Sequence, residues 1–274
     1  MRELVLVILD RPEPVAACLE AARQAARSLT NARIAALHVR ISPASTILPS
    51  EEVLTPERKK RLSERESNRA AAVRDACFVW LNGSDSEMQS RFVWTDVEST
   101  IDEEVRRRGS EADLIVLPQP APSRDHQGAQ ILRTAVLGTD RPILIVPRSG
   151  LISLGQSVAI FWTDDRATTK ATLNAMPLLA SAGQVYVLSL QRGTNGVAAA
   201  VPRVLADHDV DAEVRVIHPS FRQRGPAVLQ AAHDVGADML VMGAHPDWVV
   251  AQWVMRGVTP YMFANSDVPL FVRH

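Results

Sequence analysis

Cysteine, long apolar runs and an excess of charge of one sign are all missing from this chain. Only two cysteines, Cys18 and Cys77, occur among 274 residues, and no CxxC or Cys/His spacing surrounds them. Both fall in helix-like stretches, where they read as small buried hydrophobes of a reducing compartment. No apolar run approaches the roughly 18 residues of a membrane-spanning helix. The opening run Leu4–Leu9, closed by Asp10, is too short and too soon acidic for a secretory signal. With 30 Lys+Arg against 31 Asp+Glu the formal charge is −1, so no global field selects nucleic acid or an anionic membrane. The expectation is a cytoplasmic protein without nucleic-acid or membrane partners.

Hydrophobic residues make up 46% and charged residues 22% of the chain, enough to bury a core and far from a disordered composition. The length suggests about two domains, and internal similarity supports that count. Glu111-Ala-Asp-Leu-Ile-Val-Leu-Pro118 matches Gly236-Ala-Asp-Met-Leu-Val-Met-Gly243 at an offset of 125 positions, Asp113 to Asp238. Arg141-Pro-Ile-Leu-Ile-Val-Pro147 matches Val268-Pro-Leu-Phe-Val272 at 127, and Leu4–Asp10 matches Val158–Asp164 at 154. The fall in offset assigns the first half some 28 extra residues, which lie between Ile41 and Leu81. The repeat unit is far too long for a solenoid and reads as a duplicated domain.

Within each half, continuous apolar runs alternate with helical periods. Strands are predicted at Leu4–Leu9, Arg33–Val39, Arg91–Thr95, Asp113–Leu117 and Pro142–Val146, then at Val158–Trp162, Val185–Leu190, Glu213–Ile217, Met239–Met242 and Leu270–Val272. Helices are predicted between them, including a long one opened by Thr55-Pro56, a second at Arg166–Ala182 and a third at Gly196–Asp207. Strict alternation with strands apolar on both faces predicts an α/β fold of two doubly wound, five-stranded parallel sheets, residues 1–150 and 151–274. Ser149–Gln156, with two glycines, is the linker. Ligands in such sheets sit beyond the carboxyl ends of the strands, which directs attention to Asp10–Glu13, Pro118–Gln127, Thr163–Arg166 and Gly243–Thr259.

The last of these segments carries a recognisable spacing. Leu240-Val-Met-Gly-Ala-His-Pro246 ends a strand in glycine. Fourteen residues after Gly243 comes Gly257 within Arg256-Gly-Val-Thr259, then the Pro-led strand Pro269–Val272. This resembles the universal stress protein family, as does Trp162-Thr-Asp-Asp-Arg-Ala-Thr-Thr-Lys-Ala171, which is similar to the first strand and helix of its tandem members. The resemblance covers nearly the whole chain as two family domains in series. It implies a nucleotide site in which glycines let backbone N–H groups reach phosphates, and in the second half it points to Thr163, Asp164, Gly243, His245, Arg256, Gly257, Val258 and Thr259. The departures are specific. Pro246 has no N–H to give and Arg256 stands where the family has glycine, while Trp248 and Trp253 add bulk. In the first half Leu117-Pro-Gln-Pro120 replaces the glycine loop outright. Nucleotide binding is therefore expected to be lost in the first half and doubtful in the second, with no resident cofactor beyond possible ATP in the second half.

Other chemistry finds no support. The sequence has no GxxxxGK[ST] loop, no GxSxG elbow, and no HxH or HExxH spacing among its histidines, so a metal site is not expected. One of Asp164 and Asp165 is expected to cap the following helix; Asp10 reads as a cap or turn residue as readily as a ribose contact. The charged run Arg58–Arg74 reads as a solvated helix face with i,i+4 pairs. The expected function is a non-enzymatic, tandem stress-response or signalling module. Its partners are its own two halves, paired through their last strands as the resemblance implies, with a homodimer as a further option. The alternative is an ATP- or AMP-binding protein using the second half, with slow hydrolysis.

Overall fold

The computed structural model describes residues 3–29, 32–42, 55–121, 125–151, 153–190, 200–218, 220, 223–244 and 257–274. The first half runs β1 (Leu4–Ile8), α1 (Val15–Arg27), β2 (Arg33–Ile41), α2 (Pro56–Asn82), α3 (Ser86–Arg91), β3 (Phe92–Ser99), α4 (Ile101–Gly109), β4 (Leu114–Pro118), α5 (His126–Gly138) and β5 (Ile143–Val146). The second runs β6 (Ser157–Trp162), α6 (Arg166–Leu179), β7 (Gln184–Leu190), α7 (Arg203–Ala206), β8 (Glu213–Ile217), α8 (Arg224–Asp234), β9 (Met239–Gly243), α9 (Val258–Asn265) and β10 (Leu270–Arg273). None of the helices among the described residues is long and apolar enough to cross a membrane.

Each half forms five parallel strands in mirrored order, and the two sets are joined into one ten-stranded sheet, β3-β2-β1-β4-β5-β10-β9-β6-β7-β8. The join is the sole antiparallel pairing among the described residues, with Leu270 opposite Ile145, Phe271 opposite Leu144 and Val272 opposite Ile143. Side chains alternate along every strand, so Val5, Val7 and Leu9 enter one core layer with α1, α2 and α6, whereas Leu6 and Ile8 enter the other with α4, α5, α8 and α9. Burial on both faces explains the unbroken apolar runs.

The repeated motifs are structural. In Ala-Asp, Asp113 accepts the Leu4 N–H at 2.8 Å. Asp238 accepts those of Gly155 at 2.9 Å and of Gln156 and Ser157 at 3.1 Å. Each carboxylate thereby ties the start of its half's first strand to the fourth. The prolines that lead β5 and β10 offer only a carbonyl, taken by Ile115 N–H at 3.0 Å from Pro142 and by Leu240 N–H at 2.8 Å from Pro269. That is the position where a strand tolerates proline. The extra residues of the first half are α2, 27 residues long, where the second half has α7 of four. The helix expected at Gly196–Asp207 is corrected: residues 191–199 lie outside the described part, and α7 begins only after Pro202, whose ring disfavours helical geometry in the residue before it.

Cys18 and Cys77 are both buried; burial pushes the Cys77 thiol up to about 12 and raises Cys18 as well. His38, on β2, is fully buried. Its Nδ1 donates to the Leu9 carbonyl at 2.7 Å and its ring stacks on Trp94 at 6.4 Å, while Nε2 has no partner. Burial holds its pKa below the ordinary 6.5. The unfolded chain therefore binds a proton near pH 6.5 that the folded chain refuses. Stability falls as pH drops below about 6.5, by up to about 1.4 kcal/mol per pH unit, until the depressed folded value is reached. Urea unfolding at pH 7 and pH 5 checks this: His38→Gln should flatten the dependence relative to the parent, and an unchanged slope would assign it elsewhere.

Candidate functional site

The strand order reverses between β1 and β4 and again between β6 and β9, because the helices that follow β1 and β6 lie on one face and those that follow β4 and β9 on the other. The crevice at each reversal is where a doubly wound sheet holds ligands.

In the second half the β6–α6 turn is locally well determined. Asp165 caps α6, its Oδ1 accepting the Thr168 N–H at 2.9 Å, and its own N–H bonds the Thr163 carbonyl at 2.7 Å. The Thr163 hydroxyl meets that of buried Thr168 at 2.7 Å. Asp164 is left exposed on the wall of a cavity of about 480 Å³ at the carboxyl ends of β6 and β7, with Trp162, Val187, Ser189, Pro202 and Arg203 among its lining. An apolar floor with a carboxylate and a hydroxyl at its edge suits a flat ring carrying polar substituents.

Gly243 ends β9, where a Cβ would stand 2.7 Å from the Thr168 backbone nitrogen and 2.8 Å from its Oγ1. Its glycine is demanded by the close approach of α6. Gly257 precedes α9 in extended backbone, φ 179°, and among the described residues a Cβ there would meet only Pro260, at 3.4 Å. Val258 and Thr259 form the first turn of α9, with Thr259 buried. Gly243 is thus placed against the Thr163–Thr168 turn. Gly257, Val258 and Thr259 enter from the helix on the other face. His245 and Arg256, with Pro246, Trp248 and Trp253, lie outside the described residues.

The first half is built differently. Asp10, 5% exposed, follows β1, and burial raises its pKa against the opposing pull of Arg11. The Arg11 guanidinium bonds Asp10 at 2.9 Å and 3.1 Å, Asp125 at 3.0 Å and the Gln119 carbonyl at 3.1 Å. Asp125 also caps α5 through the Gly128 N–H at 2.8 Å. Asp10 is therefore an ion-pair partner and not a cap. Asp10, Arg11 and Asp125 form part of the wall of a cavity of about 400 Å³, which Ile41, Arg69 and His126 also line. Among the described residues, no group of three His, Cys, Asp or Glu is placed to hold a metal.

Pro118-Gln-Pro120, read from the sequence as the replacement of a glycine loop, has an observed use. Buried Gln119 donates through Nε2 to the Phe263 carbonyl at 3.1 Å and accepts the Arg148 N–H at 3.2 Å. Arg148 bonds the carbonyls of Pro120 at 2.7 Å and Ala264 at 3.1 Å. The loop holds the last turn of α9, so one half's ligand-loop position grips the other half. Across the join, Arg273 pairs with Asp140 at 2.9 Å. Sequence reasoning marked the segments Asp10–Glu13 and Pro118–Gln127 but did not single out Arg11, Gln119 and Asp125. Arg11 beside Asp10 was a readable signal, but Asp125 is 114 positions away.

No family model and no curated protein sequence matches the chain. Solved structures do match in fold. A universal stress protein from Archaeoglobus fulgidus DSM 4304 superposes with a TM-score of 0.65 at 13% identity, covering 98% of this chain and 95% of that one. A functionally unknown protein from Pseudomonas aeruginosa PAO1 does so with 0.54 at 12% identity, over 100% and 92%. These likenesses establish a universal stress protein-like fold over the full length.

Proposed function

We propose that the chain is a non-catalytic stress-response or signalling module of the universal stress protein type, acting in the cytoplasm. In this reading nucleotide recognition is lost in the first half and weakened in the second. The observation that carries it is the Arg11 guanidinium set among Asp10, Asp125 and the Gln119 carbonyl. Two carboxylates surround one cation there, and Arg69, the other guanidinium on the cavity wall, is paired with Glu66, so a phosphate entering would find no unpaired guanidinium among the described lining residues. In the second half Pro246 removes one backbone donor and Arg256 adds a side chain where backbone should approach phosphate. Two lost hydrogen bonds to a charged group, roughly 1.5–3 kcal/mol each, weaken a micromolar site by about 10²- to 10⁴-fold.

A second reading is an ATP- or AMP-binding protein with slow hydrolysis, favoured by the cavity of about 480 Å³ beside Asp164. Calorimetric titration with ATP and magnesium separates the two. The first reading expects at most one site per chain with a dissociation constant weaker than about 100 μM. A micromolar isotherm overturns the donor count, two sites per chain overturn the loss of binding in the first half, and phosphate release above background overturns the non-catalytic assignment.

A further inference from the structure

Helix α2 is longer than the fold requires. Its 27 residues span about 40 Å, yet the residues it buries, Ala70, Val73, Cys77 and Leu81, all belong to its carboxyl-terminal half. From Pro56 to Arg65 every residue is exposed except half-buried Leu62. The extension is nonetheless specified locally: Thr55 caps it through the Arg58 N–H at 3.3 Å, Pro56 occupies the first turn and Glu57 sits by the positive helix end. No element of the second half corresponds to it among the described residues.

The charge on this extension is ordered. Arg58, Arg61, Arg65 and Arg69 recur at i, i+3, i+7 and i+11, which places them within about 80° of arc along about 17 Å of one face. Arg69 pairs with Glu66 and Lys60 approaches Glu64 at 3.9 Å. Arg58, Lys59, Arg61 and Arg65 have no ion-pair partner among the described residues. The pairing expected along Arg58–Arg74 is thus largely absent in its first part, where five cations stand against two acids. At the other end of the stripe, Arg69 lines the cavity of about 400 Å³, and its Nε is buried without a partner.

We propose that this arginine face docks an acidic helical segment of a partner protein, lying along α2 with carboxylates at the same three- and four-residue spacing. Guanidinium forks pair bidentately with carboxylates, and two helices side by side keep such a register over several turns. The face lacks what other polyanions need. Single-stranded nucleic acid binds on aromatic platforms, and Pro56–Cys77 contains no aromatic residue. A helix that lies in a membrane needs an apolar side, and the exposed part offers only Leu62. The inference does not depend on whether nucleotide binds.

The test is fluorescence anisotropy of the full chain with a labelled helical peptide of about 20 residues, carrying glutamates at i, i+3, i+7 and i+11. A scrambled peptide of equal composition, an adenine-only RNA and phosphatidylserine vesicles serve as competitors. The patterned peptide should bind at least about tenfold more tightly than the scrambled one and weaken at about 0.3 M salt. The triple change Arg58→Glu, Arg61→Glu and Arg65→Glu should cost at least about tenfold, whereas Arg133→Glu on α5 should cost little. All three altered residues are exposed, so folding is retained, and an unchanged thermal melt verifies it. No binding, equal binding of both peptides, indifference to the triple change, or stronger binding of RNA or vesicles overturns the proposal.

Discussion

Truncating Phe271 to alanine should lower the unfolding free energy by about 3–5 kcal/mol, the range for a buried aromatic that leaves a cavity. Phe271 is 2% exposed and stands at the centre of the join, facing Leu144 of β5 across the antiparallel pair and Val241 of β9 on its other side. Its ring belongs to the core layer that includes residues of both halves, among them Leu144, Val146 and Val241. Removing it therefore strips contacts from both halves, and one truncation should destabilise them together. Urea unfolding should show a single transition at a lower midpoint with an unchanged slope, because the surface exposed on unfolding is nearly the same. Thermal melts should fall by roughly 6–15 °C. Leu173→Ala, at a site 42% exposed, is the control and should change stability by less than about 0.5 kcal/mol. A loss below about 1.5 kcal/mol for Phe271→Ala, or two separated transitions in the parent protein, would show that the halves unfold independently.

What the sequence disclosed follows the range of each signal. The repeat was legible because its markers are local: an aspartate before each fourth strand and a proline before each fifth do the same backbone work in both halves, so they recur at nearly constant offsets. The long helix was legible from Thr55-Pro56 and its charged run. The start of α7 was misread because an Ala/Val-rich run outweighed the proline inside it. The ion cluster in the first crevice was not legible, since it depends on Arg11 meeting Asp125 and Gln119 more than a hundred positions away, and no period or motif announces such a meeting. Nor was the use of Gln119, which looks like part of a ruined glycine loop until the carbonyl of Phe263, 144 positions away, is seen to accept from it. A loop without glycines reads as damage in one dimension and as a contact between the two halves in three.

Gly243 shows the same ambiguity at one residue, and an alanine there should resolve it. Read as a motif residue it would belong to a phosphate loop, where glycine permits backbone to approach the ligand. In the fold it permits α6 to approach β9. An added Cβ would lie 2.7 Å from the Thr168 nitrogen and 3.0 Å from the Ala167 carbonyl carbon, both backbone atoms, so no side chain can simply rotate away. The first turn of α6 cannot retreat freely either, because Asp165 holds the Thr168 N–H at 2.9 Å and Thr163 holds its hydroxyl at 2.7 Å. Overpacking of this kind costs about 1–3 kcal/mol, and the backbone contact places Gly243→Ala at the upper end, a fall of roughly 6 °C in melting temperature. The loss should appear with no nucleotide present. Adding Thr168→Ala should recover little of it, since that change removes Oγ1 but leaves the nitrogen in place. If Gly243→Ala instead melts within about 1 °C of the parent and alters only the calorimetric titration with ATP, the glycine serves the loop and not the packing of α6 on β9.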